Sequence, residues 1–135
     1  MDKVWGEIDR RGYTRVSVKN TELWIKKKKD KDFQFSEIGF LKDIGIGGLS
    51  FYSSPEEFTQ KEKIVMRFQL PKFGLLEISG IVLHIQKITQ QGQELWVYGV
   101  EFSGLSNDYR RAIKDFVLEQ LSLDRFFSEA KRTAT

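Results

Sequence analysis

At 135 residues, 40% of them hydrophobic and 13% aromatic, the chain carries enough apolar material for one folded core, which excludes a disordered chain. It has no cysteine, which excludes a disulfide framework, a thiolate metal site and a thiol nucleophile. A net charge of +3 does not demand nucleic-acid affinity, so the placement of the 22 basic residues carries the information.

The opening "MDKVWGEIDRRGYTR" lacks the basic-then-apolar layout of a secretory signal. No later run approaches the roughly 20 apolar residues that span a bilayer. The expectation is a soluble cytoplasmic protein without membrane insertion. Arg10, Arg11 and Arg15 cluster here, ahead of a β-branched alternation. Arginine is planar and forked, so several in a short segment can grip phosphate bidentately and stack on a flat base. The same cluster also reads as a charged N-terminal arm. A second basic run, Lys26 to Lys29 with Lys31, follows Trp24 and Ile25, and reads as a solvated strand end that keeps a sheet edge soluble.

Strand-like alternation fills the middle of the chain. "ELWIKKKK", "FQFSEIGFLKDI" and "GLSFYS" come first. Ile64, Met66, Phe68 and Leu70 then fall on one face, and Pro71 ends that run because it cannot donate to a ladder. "LLEISGIVLHIQKI" reads as a strand bent at Gly80, and "QQGQ" as a turn into "ELWVYGVEF". These are six strands joined by short connections, hence antiparallel, and closure into a small barrel removes their edges. After them the period changes: Tyr109, Ile113, Phe116, Val117, Gln120 and Leu121 recur at helical spacing, capped by Ser106 or Asn107. "DRFFSEAKR" reads as a second short helix.

The whole chain, 1–135, is expected to form one domain: an arginine-containing arm over 1–15, flexible in character, a barrel over 16–104 and a helical segment over 105–131. The lone histidine, His84, sits within a strand, where packing is its ordinary role. The sequence has no HExxH, GxSxG or Walker-type motif, so no enzyme and no metal site are expected.

Two segments then combine. "RGYTR" is R-x-x-x-R from Arg11 to Arg15, and "DIGIGG" is D-x-G-x-x-G from Asp43 to Gly48, directly before an apolar strand. In this order, with "GVEF" and a helix near the end, they resemble the PilZ domain, a bacterial receptor family for cyclic di-GMP, over residues 7 to 120. The resemblance implies a mainly β fold, a six-stranded antiparallel β-barrel of split-barrel type with a C-terminal α-helix. It also implies a ligand site made by Arg10, Arg11, Arg15, Asp43, Gly45 and Gly48, with cyclic di-GMP as ligand and no cofactor.

The implied roles suit the residue types. Arg11 and Arg15 would pair with phosphate or guanine O6 and N7, and Asp43 would accept from the guanine donor edge. Gly48 would let the turn approach the ligand or take a φ that side chains disfavour. In the family an arginine at the position of Arg10 is associated with an intercalated ligand dimer, implying two ligands per chain. Gly45 replaces the family's serine, and the expectation is that binding persists and that Gly45→Ser leaves it equal or stronger.

The implied function is a receptor whose N-terminal arm reorders on binding and signals to an unidentified protein effector controlling motility, adhesion, biofilm or exopolysaccharide synthesis. The alternative is a PilZ-type interaction module that binds no nucleotide, for instance in pilus assembly. A small barrel binding single-stranded nucleic acid through the lysine run and Trp24 or Phe33 is the third and least favoured reading.

Overall fold

The computed structural model describes residues 7–8, 14–28, 35, 37–53 and 58–133, with 7–8, 37–38 and 127–133 described by backbone alone. Its elements are β1 (Glu7–Ile8), β2 (Thr14–Ser17), β3 (Glu22–Lys27), β4 (Glu37–Gly45), β5 (Gly48–Ser53), β6 (Lys63–Leu70), β7 (Gly74–Gln90), β8 (Gln93–Phe102) and α1 (Asn107–Thr133). Antiparallel pairing gives one eight-stranded sheet in the order β1-β2-β4-β3-β6-β7-β8-β5, with an additional β4–β5 pairing. Hydrogen-bonded neighbours therefore follow one another from β3 through β6, β7, β8, β5 and β4 back to β3. The expected count of six strands is corrected to eight: β1 lies in the segment read as an arginine-bearing arm, and β2 straddles the expected boundary between arm and barrel at residues 15 and 16. β1 is a two-residue strand, too short to leave a periodic signal.

The alternation read from the sequence is the alternation that is buried. Ile64, Met66, Phe68 and Leu70 of β6 are buried, as are Leu23 and Ile25 of β3 and Leu76, Ile78 and Val82 of β7. Phe51, Phe58 and Tyr98 form an aromatic centre: the Phe51 and Tyr98 rings stack at 5.2 Å and Phe58 meets both edge-on. Such pairs add about 0.5–1.5 kcal/mol each beyond the area they bury. The β7 strand is continuous through Gly80, and its register shift falls at Val82/His84 instead. Beyond that shift, among the described residues, β7 has only β8 as a neighbour strand, and the pair runs on to a two-residue turn at Gln91 and Gly92, both at positive φ. That combination is the tight hairpin whose twist matches the strands.

The "DRFFSEAKR" segment is no second helix. It continues α1, which runs unbroken over 27 residues. No glycine or proline interrupts the stretch, so nothing ends the helix between them. Ser106 is the cap: its Oγ accepts from the Tyr109 N–H at 3.1 Å. Ile113, Phe116 and Val117 are buried, Phe116 meets Phe73 edge-on at 6.1 Å, and the helix packs against β2 and β4. No described helix is long and apolar enough to cross a membrane.

Candidate functional site

The nine residues of β4 serve two partners in succession. Residues 37–40 pair with β3 and residues 43–45 with β2, while β5 pairs across from Phe40 to Ile44. The link from β2 to β3 is held to β4 by Val18 N–H to the Lys42 carbonyl and Leu41 N–H to the Thr21 carbonyl. Arg15 consequently lies opposite Gly45, and Ser17 opposite Asp43. Two segments 28 residues apart thus share one face of the sheet, since side chains alternate with period 2.

On that face Arg15 Nη1 donates to Asp43 Oδ1 at 3.4 Å, with the two side chains 14% and 19% exposed. The contact is longer than the usual 2.7–3.2 Å or so of an N–H···O bond, so it aligns the guanidinium without locking it. Asp43 has two further donors: Ser50 Oγ to Oδ1 at 2.7 Å, and Lys42 Nζ to Oδ2 at 3.3 Å. Ser50 is a residue the sequence reading missed. Its signal was present: a hydroxyl in an otherwise apolar strand, buried to 6% exposure, must find an acceptor. The hydroxyl beside Asp43 thus comes from position 50, while position 45 has none.

The glycines act through close approach. Among the described residues the glycines at positive φ are Gly74, Gly92 and Gly104, none of them in the 45–48 turn. A Cβ on Gly45 would stand 2.5 Å from the Thr14 carbonyl oxygen and 3.0 Å from Arg15 Cγ. A Cβ on Gly48 would collide with the Val100 carbonyl oxygen and stand 3.1 Å from Arg15 Nη2. The first glycine admits the backbone of β2; the second admits β8 and the Arg15 guanidinium. The expectation that Gly45→Ser is harmless is therefore revised, because the backbone of β2 occupies the space a side chain needs. Arg10 and Arg11 lie outside the described residues.

Beside this face opens a cleft of about 710 Å³. Arg15, Val16, Ser17, Lys42 and Asp43 line it from the sheet, Val18 and Lys19 from the β2–β3 link, Pro71 from a turn, and Phe116, Gln120, Leu121 and Asp124 from α1. Its volume is within the range of about 300–1,000 Å³ usual for small-molecule sites. Among the described residues, no group of three or more His, Cys, Asp or Glu side chains is placed to hold a metal ion. The lysine run contributes structure: Lys27 pairs with Glu62 at 3.8 Å and lies 5.5 Å from the Phe58 ring centroid, and Lys26 lies 5.0 Å from that of Phe35.

Among the described residues, a closed circuit of antiparallel strands packed against one helix, with an arginine–aspartate pair beside a cleft, defines a β-rich module with a single C-terminal helix. The PilZ domain family model matches residues 9–119, and the chain belongs to that family. Among solved structures it is similar to the inhibitor of motility MotI/DgrA of Bacillus subtilis, with 17% identity, a TM-score of 0.70, and coverage of 87% of this chain and 54% of that one. It is similar also to the PilZ domain of Escherichia coli YcgR with cyclic di-GMP, at 17% identity and TM-score 0.60, covering 93% of this chain and 98% of that one. A third is the Klebsiella pneumoniae MrkH–cyclic di-GMP complex, at 20% identity and TM-score 0.62, covering 93% of this chain and 56% of that one. The chain thus spans about half the length of MotI/DgrA and of MrkH. No curated protein matches the sequence.

Proposed function

We propose that the chain is a non-catalytic cyclic di-GMP receptor acting in the cytoplasm. The observation that carries the reading is the meeting of Arg15 and Asp43 on one sheet face at the mouth of a cleft of ligand size. Arg15, with Arg10 and Arg11 of the preceding segment, supplies cations for the two phosphates, and Asp43 aligns Arg15 while keeping acceptor capacity for a guanine donor. Gly45 and Gly48 let the strands and the guanidinium close up around that point. The YcgR and MrkH structures with cyclic di-GMP support the choice of ligand.

We read the strand circuit as a six-stranded barrel with β1 and β2 appended. Ligand binding would reorder the segment 1–15 and alter the surface offered to a protein effector, with motility, adhesion, biofilm or exopolysaccharide output. Calorimetric titration with cyclic di-GMP, against GTP and cyclic di-AMP, tests the reading. Heat with cyclic di-GMP alone is expected. Folded protein giving none would favour the interaction module that binds no nucleotide. The same titration reads stoichiometry: Arg10 argues for two ligands per chain, and saturation at one would reject that.

A further inference from the structure

Cyclic di-GMP carries two guanines, each presenting two donors, N1–H and the 2-amino group. Asp43 cannot serve both. An ionised carboxylate has about four acceptor positions, and three of those of Asp43 already receive Ser50, Arg15 and Lys42, which leaves capacity for one guanine donor but not for two guanines. The opposite wall of the same cleft holds a second carboxylate. Along α1, positions 116, 120 and 124 follow one another at i, i+4 spacing, and all three line the cleft. Phe116 is buried at 3% exposure; one turn on the position is Gln120, and one further turn on it is Asp124. The helix face changes from apolar to hydrogen-bonding where it leaves the core and borders the cleft. Among the described residues no hydrogen bond or ion pair ties Asp124 or Gln120 to a neighbour.

The lining is also mixed in sign. Arg15, Lys19, Lys42 and Asp43 line one side of the cleft and Asp124 lines it from α1. A site for a bare phosphate gains nothing from carboxylates, whereas a nucleotide with anionic phosphates and donor base edges uses both signs. Building on the receptor reading above, we infer that α1 forms the second wall of the ligand site, and that Asp124, seconded by Gln120, reads the donor edge of one guanine.

The experiment is calorimetric titration of the full chain and its Asp124→Ala, Asp124→Asn and Gln120→Ala variants. The probes are cyclic di-GMP and cyclic di-IMP, in which hypoxanthine replaces guanine and the 2-amino donor is missing. Asp124 is exposed, so the variants should melt with the parent. Asp124→Ala is expected to weaken cyclic di-GMP binding about tenfold, the scale of one lost charge-assisted hydrogen bond. It should also shrink the preference for cyclic di-GMP over cyclic di-IMP. Asp115→Ala, at another exposed carboxylate of α1 outside the cleft lining, should change neither. Unchanged affinity and preference in both Asp124 variants, with a parent that binds, would overturn this inference and leave the receptor reading intact. A parent that binds neither dinucleotide would overturn both.

Discussion

Arg15 depends on three positions outside its own strand. Asp43 meets its Nη1 atom, Gly48 leaves room for Nη2, and Gly45 leaves room for its Cγ and for the preceding carbonyl. Arg15→Ala should weaken cyclic di-GMP binding at least tenfold, since a charge-assisted hydrogen bond is worth about 1.5–3 kcal/mol. Titration checks this; a variant binding like the parent would remove Arg15 from the site. Gly45→Ser should destabilise the fold by about 1–3 kcal/mol through overpacking, or push β2 off β4, and weaken binding with it. Urea denaturation measures the first effect, and an unchanged midpoint would show that β2 yields freely. The motif residues Arg15, Asp43 and Gly48 were legible in the sequence as a set, because their order and spacing carry the family resemblance, and Gly45 was legible as the position where the family has serine. What Gly45 and Gly48 accommodate was not, because the atoms they make room for belong to Thr14 and Val100, in other strands.

Among the elements, α1 has two parts with different energetics. Its first half presents Ile113, Phe116 and Val117 to the core, whereas Leu118 is 51% exposed. Ile113→Ala should cost about 2–5 kcal/mol by removing a fully buried branched side chain. Leu118→Ala should stay within about 0.5 kcal/mol, as exposed substitutions do. Thermal or urea unfolding of the pair checks the contrast; equal costs would mean that Leu118 is covered in solution. The six longer strands were legible, most of them from period-2 alternation and β5 as a short apolar run after the glycine turn, and the helix start from its period and cap. The unbroken length of α1 was misjudged because the apolar period fades after Leu121, and residues 122–126 are exposed. Helical continuity there needs only good helix formers and no breaker.

For the whole molecule, closure distributes stability unevenly. Each strand of the circuit is flanked on both sides, but among the described residues β1 pairs with β2 alone, and β2 is held by residues 43–45 of β4, that two-residue strand and α1. Backbone amides of Thr14–Ser17 should therefore exchange faster than those of β6 and β8 in the free protein, since local opening free energies follow contact and burial. Saturating cyclic di-GMP should slow them selectively. Hydrogen exchange with and without ligand reads both; uniform protection across β2 and β8 in the free protein would place the switch elsewhere.

Among the described residues the β7–β8 ribbon runs past the other strands and ends in a turn at Gln91 and Gly92 that no third strand covers. Chain tips of this kind tolerate insertion, because the backbone there gives up no hydrogen bond to the body of the fold. A peptide epitope or small reporter domain spliced between Gln91 and Gly92 should leave the unfolding midpoint and ligand affinity within experimental error. The fold thus supplies its own mounting post, on which a sensor for the bound state can be built without touching β2, the glycine turn or α1.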